Sequence, residues 1–207
     1  NLAQFCNRVQ IPYRVYAFTT QYSDRNDYGT ESWAAKRQWQ VEKSNREGNF
    51  INCYDDRYKL LELFSSKMTQ VEFNNMSKRV IDYRFVYNKG YDTGGTPLNE
   101  ALAWVYQNLG SFIKEHSVEK TTFITLSDGD GGSFTTNKGN RHTLASSRYT
   151  DTSTGYKQVK QKHFIKDDVT QKTYEITDNS TKQADVILRM IKDRYNVSVV
   201  GFYICRN

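Results

Sequence analysis

Two short segments constrain this chain more than anything else in it: Gly94-Gly95-Thr96-Pro97-Leu98-Asn99-Glu100-Ala101-Leu102 and Phe123-Ile124-Thr125-Leu126-Ser127-Asp128-Gly129-Asp130-Gly131. The first reads as a glycine turn feeding a helix. Thr96 stands where an N-cap belongs, and Pro97 suits the first helical position, where its missing N–H costs nothing. The second reads as a buried strand that stops at an Asp-Gly turn. Open α/β sheets place their ligands at the carboxyl ends of the strands. A hydroxyl at a helix start and a carboxylate at a strand end are then presented by adjacent loops. Hard oxygen donors on rigid tips suit Mg²⁺, which takes one or two protein ligands and completes an octahedron with water or a partner.

The rest of the chain supplies the elements such a site needs. Leu2, Phe5 and Val9 recur at helical spacing, and Ile11–Phe18 reads as a strand. The polar stretch from about 19 to 49 is long for a loop and reads as an insertion. Phe50–Tyr54 suggests a short strand. Tyr58–Met68 and Gln70–Val80 both show helical spacing, the former through Leu60, Leu61, Phe64 and Met68, and Val80–Val86 alternates as a strand. The motif helix is expected over Pro97–His116, with Leu98, Leu102, Val105 and Leu109 as its buried stripe. The motif strand follows at Thr121–Leu126. A second insertion spans about 131 to 180 and contains a small hairpin at Phe164–Lys166 and Lys172–Ile176. Ala184–Tyr195 reads as a helix. Val197–Ile204 is a near-continuous apolar run, the pattern of a parallel strand covered on both faces. This β-α alternation predicts an α/β fold with a doubly wound, mainly parallel sheet and long polar insertions, in a single domain over 1–207.

The two motif segments resemble the von Willebrand factor A (VWA) family, whose metal-ion-dependent adhesion site (MIDAS) combines a first-strand Asp-x-Ser-x-Ser with a Thr from a second loop and an Asp from a third. Thr96 matches the second part and Asp128 the third. The Gly-x-Thr-Pro-Leu and Leu-Ser-Asp-Gly wording is closest to the VWA domains of cobaltochelatase-like and phage proteins that pair with MoxR-type AAA+ ATPases. No Asp-x-Ser-x-Ser precedes Thr96; Ser23-Asp24 and Tyr54-Asp55-Asp56 lack the serines. The expectation is a chain that begins partway through the family's first helix, with the first strand lying before Asn1. The resemblance implies a non-enzymatic protein-binding module. A cation, Mg²⁺ with Ca²⁺ or Mn²⁺ as alternatives, would sit on Thr96 and Asp128, with Asp130 touching it through water. Gly95 and Gly129 would shape the loops, and an acidic side chain of a partner such as a MoxR-like AAA+ ATPase would complete the shell. In the 207-residue chain that cation is expected to bind weakly or not at all. The alternative is a structural or assembly protein, phage proteins included, with a VWA-like fold and a degenerate metal site.

Composition narrows the classes further. The net charge of +6 is concentrated between Ser133 and Lys162, where Lys138, Arg141, Arg148, Lys157, Lys160 and Lys162 face one acid, Asp151. Lys157, Lys160 and Lys162 are the candidate partner contacts. The segment lacks a regular aromatic interleaving, so nucleic acid is not expected as the partner. Three separated cysteines, Cys6, Cys53 and Cys205, form neither a disulfide framework nor a zinc cluster and suit a reducing compartment. No apolar run approaches the roughly 20 residues of a membrane span. A cytoplasmic setting, in a bacterium or an infected host cell, is expected. His116, His142 and His163 lack metal-ligand spacing, and neither a P-loop nor a Gly-x-Ser-x-Gly elbow is present, which argues against an enzyme.

Overall fold

The computed structural model describes residues 2–21, 51–52, 58–81, 91–92, 95–128, 131, 135–136, 147–152, 155–160, 162–177 and 179–204. The chain mixes helices and strands and divides into two compact units: residues 1–32 with 55–97, and residues 33–54 with 98–207.

The first unit contains α1 (Leu2–Arg8), β1 (Arg14–Gln21), β3 (Tyr58–Ser65), α2 (Gln70–Ile81) and β4 (Tyr91–Asp92). The expected helix at its amino end and the helix at Gln70 are present. Tyr58–Met68 is not a helix. Tyr58–Ser65 is a strand paired antiparallel with β1, from Arg14↔Ser65 to Thr20↔Tyr58, with a bulge between Val15 and Tyr16. The ladder explains the difference: a half-buried strand beside β1 satisfies eight residues of backbone that local spacing alone assigns to a helix. β4 pairs with the other edge of β1, also antiparallel. The strand expected at Ile11–Phe18 therefore exists but lies in an antiparallel sheet. α2 starts at a capping box. The Glu72 carboxylate accepts from the Thr69 N–H at 2.8 Å, and Thr69 Oγ1 accepts from the Glu72 N–H at 3.3 Å. Phe73 then packs on Phe64 of β3, ring centroids 5.0 Å apart. Of the strand expected at Val80–Val86, residues 80–81 close α2 and 82–86 lie outside the described residues.

The second unit contains β2 (Ile51–Asn52), α3 (Leu98–His116), β5 (Thr122–Ser127), β6 (Thr135–Thr136), β7 (Ser147–Thr152), β8 (Gly155–Lys160), β9 (His163–Lys166), β10 (Thr173–Ile176), α4 (Ser180–Tyr195) and β11 (Ser198–Tyr203). β5 and β11 run parallel in the register Ser198↔Thr122 to Tyr203↔Ser127, joined through α4 as a β-α-β crossover requires. β9 and β10 form the expected small hairpin, while β2 pairs with β6 and β7 with β8, both antiparallel. α4 is bounded by an Asn179 N-cap, whose side chain accepts from the Lys182 N–H, and by Asn196 in the left-handed region at φ 51°.

The core of this unit lies between the two long helices and one face of the parallel pair. Leu102 and Ala103 of α3, Ala184, Ile187 and Ile191 of α4, Ile176 and Val197 are buried together, with Phe123 and Val199 packed against them. The opposite face of the pair, with Ile124, Leu126, Val200 and Phe202, is exposed. Val197–Ile204 is thus a strand covered on one face, where its apolar run led us to expect cover on both.

Candidate functional site

The amino ends of α3 and α4 meet within the second unit, and Gly131, four residues past the end of β5, lies against the first turn of α3. Ser127 is the last residue of β5 and is buried; Asp128 follows and is exposed. The Ser127 carbonyl accepts from the Ile204 N–H at 2.8 Å, so the strand end is fixed against the end of β11. Three residues beyond Asp128 the loop returns to α3. Gly131 is buried, and a Cβ placed there would stand 3.0 Å from the Asn99 backbone nitrogen and 3.1 Å from Asn99 Cγ. Glycine is therefore what lets the loop after the motif strand lie against the first turn of the motif helix.

Asn99 is fully buried and ties this turn to α4. Its side-chain amide donates to the Ser180 carbonyl at 3.2 Å and lies 3.5 Å from Gln183 Oε1. Gln183, also fully buried, donates to the Thr177 carbonyl at 2.6 Å. Two helix amino ends, each carrying partial positive charge, are thereby tied to each other. Glu100, buried in the first turn of α3, adds a carboxylate where the helix dipole favours one. In the sequence Asn99 and Glu100 merely follow the helix cap, whereas the structure buries both. The signal in the sequence is faint: two polar residues stand between Leu98 and the buried Ala101-Leu102-Ala103.

Thr96 is half-buried beside buried Pro97, directly before α3, and belongs with Gly95 to the first unit. There Gly95 closes on β1: a Cβ would lie 2.6 Å from Thr20 Oγ1. Asp128 belongs to the second unit. Gly129 and Asp130 lie outside the described residues. Lys157 and Lys160 fall in β8, with only their backbone described, and Lys162 is exposed with its ammonium 3.5 Å from Glu175.

A second polar cluster is anchored by Asp167, at the end of β9. Asp167 accepts from the Val169 and Thr170 N–H groups at 2.7 and 2.8 Å and from the Tyr106 hydroxyl at 2.8 Å. Arg194 donates to the Tyr106 hydroxyl at 2.6 Å and to Asp168 at 3.1 Å, with its guanidinium 4.8 Å from the Tyr106 ring centroid. Burial, helped by the Asp167 carboxylate and opposed by Arg194, pushes the Tyr106 phenol up to about 12. Burial works to raise Asp167 as well, but the Thr170 N–H, the Tyr106 hydroxyl, the Val169 N–H and Arg194 outweigh it, so its carboxyl titrates below its ordinary range. The cluster clamps the β9/β10 hairpin to α3 and α4.

No family model matches the sequence, and neither a curated protein nor a solved structure matches it. Among the described residues no helix is long and apolar enough to cross a membrane.

Proposed function

We propose that the chain is a VWA-type protein-binding module, built on a doubly wound α/β plan, that uses a divalent cation to hold an acidic side chain of a partner protein. The observation that carries this reading is the seating of Gly131 against Asn99, because it joins the loop behind Asp128 to the first turn of the motif helix at the carboxyl end of a parallel strand. That strand end is where a doubly wound sheet binds its ligand. The donor also suits the ion. The exposed carboxylate of Asp128 is a hard oxygen ligand, the class Mg²⁺ selects. When bound, the cation would supply a positive centre with an open position for a carboxylate. Asp128 would provide the charge that retains it, while the buried Asn99 and Gln183 tie the first turn of the motif helix to α4. By the same resemblance the partner is a protein such as a MoxR-like AAA+ ATPase. The competing reading, an assembly protein with no cation, draws on the exposed apolar face of β5 and β11.

Asp128→Asn separates the two, because it keeps the shape of the side chain and removes its charge. Titration calorimetry of the full natural protein with Mg²⁺ should give measurable binding in the wild type and none in the variant. The melting temperature without metal should be unchanged, since exposed substitutions usually cost no more than about 0.5 kcal/mol. Equal Mg²⁺ affinity in both proteins would defeat the cation reading.

A further inference from the structure

The hydrogen bonds of β11 show which of its backbone groups face away from β5. The Ser198 N–H donates to the Thr121 carbonyl at 3.0 Å, and the Ile204 N–H donates to the Ser127 carbonyl at 2.8 Å. Successive peptide units of a pleated strand point to opposite sides. Val200 and Phe202 therefore also address β5, whereas the N–H and C=O groups of Val199, Gly201 and Tyr203 point to the other edge. Among the described residues β11 pairs with β5 alone. Natural proteins protect such an edge with charged residues, proline or bulges. The strand Ser-Val-Val-Gly-Phe-Tyr carries neither charge nor proline, and its register with β5 is unbroken. A groove of about 400 Å³ opens between α4 and this strand, lined by Asp185, Leu188, Arg189 and Lys192 on one flank of the helix and by Val199 of β11. Leu188 and Val199 pack on the core and form its apolar floor, while Asp185, Arg189 and Lys192 are exposed. Among the described residues neither Arg189 nor Lys192 takes part in an ion pair.

We propose that the outer edge of β11 takes up an extended acidic segment of a partner protein as an added strand, with two carboxylates on its groove-facing side meeting Arg189 and Lys192. In strand addition the main-chain bonds give affinity, and the side chains at alternate positions give specificity. The spacings agree. Residues three apart on a helix have their Cβ atoms about 5–6 Å apart. Alternate residues of a strand, at about 3.3 Å rise each, repeat on one face every ~6.6 Å. Acidic residues at i and i+2 therefore match the two cations, and an apolar residue on the same face rests on Leu188 and Val199. Asp185, one turn before Arg189, repels a further acid at that end. A second copy of this chain suits the edge less well, because two flanks that each hold two cations against one acid would set like charge against like. The inference goes beyond the cation site and stands independently of it.

Nuclear magnetic resonance of the 207-residue chain, in EDTA so that no divalent cation takes part, tests it with the peptide acetyl-Thr-Val-Thr-Glu-Thr-Glu-Thr-Val-amide. The amide signals of Val199, Gly201 and Tyr203 should shift and gain protection from exchange, while those of Val200 and Phe202, already bonded to β5, should change little. Arg189→Gln with Lys192→Gln should weaken binding about twofold to thirtyfold at low salt, the span of two exposed ion pairs. High salt should shrink that difference. N-methylation of every second peptide residue should abolish binding in one phase and spare it in the other, because only alternate N–H groups of an added strand face β11. This last comparison leaves the protein unaltered, so it holds even if a variant folds poorly. The proposal is overturned if the peptide does not bind, if its shifts fall away from β11 and α4, if the Gln variant binds as tightly as the wild type, or if both N-methylated phases bind alike. Protection of the β11 edge that rises with protein concentration in the peptide-free chain would assign the edge to a second copy and overturn it as well.

Discussion

Asp167 is completely buried and stays charged, which makes it the residue whose chemistry is most open to measurement. Three donors hold its carboxylate, two from its own turn and one from Tyr106 across the core, with Arg194 3.8 Å away. A carboxyl held below its unfolded value stabilises the fold above that value, near about 3.9, and loses its contribution as pH falls through the folded value. Asp167→Asn should therefore lower stability at neutral pH. The cost should be about 3 kcal/mol, the scale of removing one member of a buried ion pair. It should also flatten the loss of stability on acidification, because the titrating group is gone. Urea melts at neutral pH and near pH 4 (about the unfolded carboxyl value) measure both effects. Parallel pH profiles in wild type and variant would mean that Asp167 is not what couples this fold to acid.

At the scale of elements, α3 carries a glycine where propensity argues against one. Gly110 lies within the helix, and a Cβ there would stand 2.9 Å from Tyr195 Cε1. The Tyr195 hydroxyl donates to the Tyr106 carbonyl at 2.6 Å, so the ring of α4 is pinned over the backbone of α3. Gly110→Ala would gain about 1 kcal/mol of intrinsic helix preference. It should nonetheless destabilise the protein, because the pinned ring has to shift, and overpacking of this kind costs about 1–3 kcal/mol. Tyr195→Leu should remove the conflict, so the double variant should be more stable than the two single losses added together predict. Simple additivity in thermal melts would show that the helices do not meet there. The two long helices and the β9/β10 hairpin were legible in the sequence, because their periodicity is local and their ends carry caps or turns. β3 was not. Leu60, Leu61 and Phe64 fit a helix as well as a strand, and the antiparallel partner that decides the matter lies far off in the chain, from Arg14↔Ser65 to Thr20↔Tyr58.

The start of α3 and the end of β5 were legible in the sequence, and the groups that fix the start of α3 were not. The ties from Asn99 to Ser180 and Gln183 join positions 81 and 84 residues apart, a pairing no local pattern announces. The same holds for which faces are covered. β5 and β11 alternate between a face packed on the helices through Phe123 and Val199 and a face whose Leu126 and Phe202 are 57% and 54% exposed. Parallel strands are usually buried on both sides, and a doubly wound sheet has its second helix layer on such a face. In the 207-residue chain this face should be open to solvent. Leu126→Thr and Phe202→Thr, which stand opposite each other in the ladder, should then cost no more than about 0.5 kcal/mol each. They should also reduce the fluorescence of a hydrophobic dye bound to the native protein, since the patch that binds it is removed. Ile191→Ala, in the buried core, should cost about 2–5 kcal/mol and serves as the contrast. A cost of about 2 kcal/mol at Phe202, the value of burying a large apolar side chain, would show the face to be covered in solution. Such a result would favour the two-layered doubly wound arrangement over the one-sided sheet seen in this unit.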